Sequence, residues 1–311
     1  MMTDAREIEQ EAADAVDAVM KPGIYTAEEI PAAFYHRMPA VASHMLQGFY
    51  RTPAHAKEAI LHPFDGSAEQ QFGQAFHMRV LEPERFPLEY ILTPAVEAGV
   101  KATKAGLPNK RDPKGKEAWA VWEERAKGKQ VLTPVEWDKI DAMARSVERH
   151  PAAREILAAP GMNEVTVIWD QDVKDGEGEL SVVRCRARID ILRTIADDTW
   201  IWDLKSTVDA SEREFEKQIA RYHYHMQLGF YALGMNALAP APRRVGFIAS
   251  EKERPYAVNV LELDALDLEQ GQRDALAHLK TYVECMRTGI FPAYGDGMGY
   301  VGLPPWAKKE E

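Results

Sequence analysis

Cysteine is nearly absent from this chain: Cys185 and Cys285 are the only two in 311 residues. Their number and separation suit neither a disulfide framework nor a cysteine-based metal site. Long apolar runs are missing too. No stretch reaches the roughly 18 consecutive apolar residues that read as a membrane span, although a hydrophobic content of 46% is ample for a core. The opening residues, MMTDAREIEQEAADAVDAVM, are acidic and lack the charged-then-apolar order of a secretion leader. These absences predict a cytoplasmic protein with no membrane association. Positive charge is also in short supply. Lys and Arg number 38 against 49 Asp and Glu, a net charge of −11, which is the wrong sign for a protein that coats nucleic acid.

Distribution matters more than the sum. From Lys101 to Lys129, nine basic residues outnumber four acidic ones, a local balance of +5. Lys110, Arg111, Lys114 and Lys116 are the candidates there for contact with DNA phosphates; a solvated loop is the plainer alternative.

The most informative stretch is Val182 to Ser206. Val183, Cys185, Ala187, Ile189 and Ile191 alternate with Arg184, Arg186, Arg188 and Asp190, the period of a half-buried strand. Trp200–Ser206 reads as a second strand, and Arg193–Thr199 as the connecting loop. Asp203 and Lys205 are two apart and leave the same face of a strand. If the strands pair, Asp190 comes beside Asp203. Two adjacent carboxylates resist ionising together unless a cation lies between them, and carboxylate oxygens are the ligands Mg²⁺ prefers. A lysine next to them suits metal-assisted phosphodiester hydrolysis. The same residues would also suit a surface hairpin with an ordinary Asp–Lys pair.

The rest of the chain reads as follows. Residues 4–20 suit a short helix and 24–40 look irregular, with Pro31 and Pro39 as punctuation. Helices are expected over Val41–Tyr50, from Pro53, and over Gly66–Glu82, where Ser67 and Gln70 form a capping pair. His77 lies on this third helix beside an apolar stripe; alone it reads as a packed histidine. Tyr90–Thr93 is a short strand, and 94–112 a loop. Lys114–Lys127, Pro134–His150 (capped by Thr133) and a piece from Pro151 are helical. Glu164–Asp170 is a strand. Ser211, with Glu214 three on, caps the first of two helical pieces, 211–220 and 222–236. His223, Gln227 and Tyr231 are spaced for one helix face. Arg244–Ser250 and Tyr256–Leu261 are strands, Ala265–Thr288 is a long amphipathic helix, and the tail has little regular structure. There is no internal repeat.

Several segments, in order and spacing, resemble the RecE family, the nuclease portion of exonuclease VIII and its phage relatives: FGQAFHMRVLEPERF, NEVTVIWD, RCRARIDIL, WDLKSTVDAS and YHYHMQLGFYALG. The resemblance implies an α/β (α+β) restriction-endonuclease-like PD-(D/E)XK core, a mixed sheet flanked by helices. It implies one domain: a mainly helical part over 1–160 carrying His77, the core over 161–290, and a tail over 291–311. His77, Asp190, Asp203 and the Leu204 carbonyl match the family's metal ligands and Lys205 its catalytic lysine. Gln227 and Tyr231 match a Q-x-x-x-Y helix signature, and Glu164 the acidic residue of the first core strand. The second carboxylate is Asp203, where the wider superfamily more often has Glu. With two cysteines, the chain has no place for the four-thiolate cluster of some relatives.

The expectation is a Mg²⁺-dependent exonuclease, active also with Mn²⁺, that degrades linear double-stranded DNA from its ends, 5′ to 3′. The family resemblance further implies a single-strand annealing protein as partner in phage or prophage recombination, and a homo-oligomeric ring. The rival readings are a PD-(D/E)XK endonuclease and a non-catalytic DNA-binding protein on the same fold.

Overall fold

Parallel neighbours in a sheet need a crossover, whereas antiparallel neighbours need only a turn, and one crossover organises this molecule. In the computed structural model, residues 21–304 are described, apart from 62–65, 97–99, 105, 175, 197 and 296. The helix expected over 4–20 lies outside them.

The order is β1 (Gly23–Tyr25), α1 (Ala32–Tyr35), α2 (Ser43–Gln47) with a 3₁₀ turn at Gly48–Tyr50, α3 (Pro53–Leu61), α4 (Ala68–Leu81), α5 (Phe86–Glu89) and β2 (Tyr90–Leu92). Then come α6 (Pro113–Ala126), β3 (Gln130–Leu132), α7 (Pro134–Arg149), α8 (Pro151–Ala158), β4 (Gly161–Lys174), β5 (Leu180–Ile195) and β6 (Asp198–Thr207). The last are α9 (Glu212–Tyr222), α10 (Tyr224–Leu238), β7 (Arg243–Glu251), β8 (Val258–Glu262) and α11 (Ala265–Thr288).

The main sheet has six strands in the order β1-β4-β5-β6-β7-β8. All pairs are antiparallel except β6–β7, which is parallel. The crossover between those two contains α9 and α10, so α10 is laid across the sheet against β4, β5 and β6. The architecture is the restriction-endonuclease-like α+β core with a helical N-terminal part. A separate parallel pair, β2–β3, stands beside it. None of the described helices is long and apolar enough to cross a membrane.

Each sheet face has its own core. On one face Val165, Val167, Trp169, Ala187 and Ile189 pack with Met226 and Phe230 of α10 and Leu279 of α11. On the other, Ile191, Trp202, Leu204 and Ile248 pack with Phe76 of α4, Met143 and Val147 of α7, and Ile156 of α8. Ile189 and Ile191 are two apart yet belong to opposite layers, so the alternation of β5 slips at Asp190. Opposite it on β4, between the register pairs Asn163–Ile191 and Val165–Ile189, Glu164 is left-handed at φ 53°. The simple period of two, expected to hold through Ile191, ends there.

Other differences are local. Residues 24–40, expected to be irregular, supply β1 and α1, because buried Arg186 donates to the carbonyls of Met38 and His36 and Arg188 to that of Ile30. The polar face of β5 is therefore covered. The hairpin loop is shorter than Arg193–Thr199: Arg193 is buried, and its guanidinium donates to Ile156, Met162 and Asn163, which extends the strand to Ile195. Ser67 forms the expected capping box with Gln70, and Thr133, expected as a cap, forms one with Glu136. Ser211 stands at the N-cap of α9 without a side-chain cap bond; its own N–H donates to Asp209 Oδ1 at 2.8 Å.

Candidate active site

Leu204, at the middle of β6, joins the two halves of the site. Its side chain is buried on the α4 face, so its neighbours Asp203 and Lys205 point to the α10 face. Its backbone N–H donates to Asp190 Oδ2 at 2.9 Å, and its carbonyl hydrogen-bonds the His77 ring. His77 reaches in from α4, with Nδ1 3.5 Å from Asp190 Oδ2. Gly73, one turn before it, faces Ser206 of β6, whose Oγ a Cβ at that position would meet at 3.9 Å, an ordinary contact. His77, Glu164 and Asp190 each offer a ligand atom, and all three atoms lie within 4.8 Å of one another. The slip in β4 and β5 is what turns both carboxylates toward this point. Arg188 holds Glu164 in place: Nε donates to Oε2 at 2.7 Å while Nη1 reaches the Ile30 carbonyl at 2.9 Å and Thr166 Oγ1 at 3.3 Å.

The second half is a closed polar network under α10. Lys205 Nζ is 2.5 Å from Asp203 Oδ2, an ion pair without hydrogen-bond alignment, and donates to Gln227 Oε1 at 3.1 Å. Gln227 Nε2 donates to Asp203 Oδ1 at 3.0 Å and to the Tyr231 hydroxyl at 2.8 Å. Lys205 Nζ also sits 4.4 Å over the Tyr224 ring, a cation–π contact. Asp203 is only 1% exposed, and a buried carboxylate needs such partners.

Burial first, then the charges of Asp203 and Glu164, pushes the Asp190 pKa well up, against the opposing pull of Lys205 and the Leu204 N–H. Burial lowers the His77 pKa more than the nearby carboxylates raise it. His77 is thus held neutral with a ring nitrogen available as a ligand. Burial alone would lower the Lys205 pKa, but Asp203, Tyr224 and Asp190 outweigh it and the net direction is up. Lys205 stays cationic. Burial also pushes the Tyr231 hydroxyl far up, so it remains protonated.

These features fit a divalent cation. One neutral imidazole and two carboxylates form a compact hard-donor set, and the raised proton affinity of Asp190 marks negative charge that a cation would offset. His77, Glu164 and Asp190 would hold it, with the Leu204 carbonyl turned toward the same place.

Asp203 is outside the compact donor set, because its oxygens face Gln227 and Lys205. Glu164, matched by the resemblance to the acidic residue of the first core strand, lies inside. His223 does not share the Gln227–Tyr231 face; it is left-handed at φ 55° and forms the joint between α9 and α10. Lys110, Arg111, Lys114 and Lys116 sit in a different region, before and on α6. Lys110 pairs with Glu123 at 3.0 Å and lies 4.2 Å over the Trp119 ring, while Arg111, Lys114 and Lys116 are exposed. Two contributors went unnoticed in the sequence, Arg188 and Tyr224. Tyr224 precedes Gln227 by three, a spacing that puts both on one helix face. Arg188 looked like one more residue of a solvated strand face.

Fold and site together define a PD-(D/E)XK-type protein. The chain belongs to the family described as PDDEXK-like domain of unknown function (DUF3799), whose model matches residues 42–303. Among solved structures, one from Eubacterium rectale described as a "Putative exonuclease" is similar, with a TM-score of 0.53 and 11% identity over 85% of this chain and 87% of that one. At that identity the likeness concerns the fold. A second, SSO0001, aligns over 37% of this chain and 48% of its own at 16% identity and a TM-score of 0.23, too low to support an argument. No curated protein matches the sequence.

Proposed function

We propose that this protein is a Mg²⁺-dependent exodeoxyribonuclease that degrades linear duplex DNA, 5′ to 3′, with Mn²⁺ as a substitute. The observation that carries the reading is the convergence of His77, Glu164 and Asp190 beside a buried, cationic Lys205. A divalent cation held there supplies Lewis acidity and lowers the pKa of an attacking water. The protein's own groups do the rest. Lys205, kept charged by Asp203 and oriented by Gln227, is an electrostatic stabiliser of charge developing on the phosphate, not a general base. Asp203 serves as the anchor of that lysine, and Tyr231 as the anchor of Gln227. Arg188 positions Glu164.

The order of RecE-like segments supports the finer parts of the proposal: action from DNA ends, a single-strand annealing protein as partner, a role in phage or prophage recombination, and a ring of subunits. Digestion of end-labelled linear duplex with Mg²⁺, beside a covalently closed circular control, tests the central claim. Progressive loss of linear DNA with intact circles is the expected result. Efficient cutting of circles would instead make it an endonuclease, and absence of both cleavage and Mg²⁺ binding would leave a non-catalytic DNA-binding protein.

A further inference from the structure

The helix break between α9 and α10 builds a feature next to the catalytic lysine that a continuous helix could not. Residues two apart on an α-helix point about 200° away from each other. Here His223, at φ 55° and ψ 39°, turns the chain so that Tyr222 and Tyr224 lie on the same side. Their rings stack with centroids 5.5 Å apart and planes inclined by 27°. The inner ring, Tyr224, carries Lys205 Nζ at 4.4 Å. The outer ring belongs to Tyr222, which is 46% exposed. Arg221, with no ion-pair partner among the described residues, has its guanidinium 5.5 Å from the Tyr222 ring. Two aromatic planes thus lead from the surface to Lys205, with a free cation at the outer end.

The break is braced from behind. Tyr50 stacks on His223 with centroids 3.4 Å apart and planes within 7°, and its hydroxyl donates to Asp274 Oδ2 at 2.6 Å. His225 Nε2 lies 3.2 Å from the same oxygen. Gln47 Nε2 donates to the Tyr222 carbonyl at 3.4 Å. Left-handed backbone at a non-glycine residue costs free energy and persists where its surroundings over-determine it.

We infer that the Tyr222–Tyr224 stack is a base platform, on which an unpaired nucleotide of a single-stranded DNA end stacks so that its backbone is delivered to Lys205. Aromatic faces bind bases without regard to sequence, and an adjacent arginine suits the backbone phosphate. The inference rests on the nuclease reading and specifies the form of the substrate at the site: the strand is unpaired where it meets Tyr222.

The test uses the full chain and a short single-stranded oligodeoxynucleotide carrying 2-aminopurine at its end, with Ca²⁺ replacing Mg²⁺ and gels verifying that the strand stays intact. Tyr222→Ala is expected to weaken binding about 5- to 160-fold, the range that removal of one stacked base partner spans, and to abolish quenching of the fluorescent base. Tyr222→Trp should retain both. Circular dichroism and melting of each variant control for folding. Wild-type affinity and quenching in Tyr222→Ala would overturn the platform, as would equal loss in Tyr222→Trp. Failure of the wild type to bind the oligonucleotide would overturn it as well. The same preparations incubated with linear duplex and Mg²⁺ separate the two claims, since cleavage without single-strand stacking removes the platform and leaves the nuclease.

Discussion

Asp190 bears the electrostatic strain of the site. Its burial, and after that its neighbours Asp203 and Glu164, raise its pKa well above an ordinary 3.8. Above that raised value the ionised group costs stability in full, and the cost fades as pH falls toward 3.8. Asp190→Asn is therefore expected to raise the melting temperature of the metal-free protein at neutral pH, by on the order of 2 °C per kcal/mol of repulsion removed. The gain over wild type should shrink as the pH is lowered. Mg²⁺ should raise the melting temperature of the wild type but not of the variant, and cleavage should be lost. Thermal melts in EDTA and in Mg²⁺ across pH measure all of this. Lys205 behaves differently, since it touches no ligand atom of the His77–Glu164–Asp190 set. Lys205→Ala should lower the single-turnover rate by about 10²-fold or more, with calorimetric Mg²⁺ affinity retained. Recovery of the rate at higher Mg²⁺ would contradict the assignment.

Among the elements, α10 matters most, because it carries both Gln227 and Tyr231 of the network over Asp203 and, at its start, Tyr224, the inner ring of the aromatic pair. Gln227→Ala removes the donor to a carboxylate that is 1% exposed. Leaving such a group unsatisfied costs about 1–3 kcal/mol, and freeing Lys205 should slow single-turnover cleavage about 10- to 100-fold. Melting and rate together check the pair of outcomes. The placement of α10 depends in turn on α11, which it meets at two glycines. A Cβ at Gly271 would lie 2.0 Å from the His225 carbonyl oxygen, and one at Gly229 would lie 2.4 Å from the Gly271 carbonyl carbon. Gly271→Ala must push the helices apart, at an expected cost of about 1–3 kcal/mol. Activity should fall with stability, although Gly271 is part of α11 and makes no contact with the metal-binding residues. Melting and cleavage assays on that variant test whether the crossing positions the site.

At the scale of the whole molecule, charge is unevenly placed. The net charge is −11, so DNA should be held where cations gather and repelled elsewhere. Arg111, Lys114 and Lys116 are exposed, whereas Lys110 is already engaged with Glu123 and Trp119. Replacing Lys110, Arg111, Lys114 and Lys116 with Ala is expected to weaken duplex binding and flatten its dependence on salt, by somewhat less than four lost phosphate contacts would. Binding titrations over a range of salt concentrations measure the slope. An unchanged slope would make this segment a solvated surface and move the duplex contact elsewhere.

Local chemistry was enough to determine much of this protein. The alternation of Val183 to Ile189, the placement of Asp203 and Lys205 on one face, the capping boxes of Ser67 and Thr133, and the Gln227–Tyr231 spacing all follow from short-range geometry. Each involves residues within about two turns or a few strand positions of one another. Four features required the tertiary structure. His77 reaches Asp190 because α4 packs on the face of β6 that bears Leu204. Asp203 is turned away from the donor set because the β6–β7 crossover lays α10, and with it Gln227, on the Asp203 side. Glu164 enters that set because β4 and β5 slip together at a left-handed residue, a conformation that no side-chain pattern announces for Glu. His223 leaves the helix face its spacing suggested because Tyr50, Asp274 and His225 hold the joint open. Periodicity reports which side chains share a face; which faces meet is decided by crossovers and by packing between residues distant in the chain.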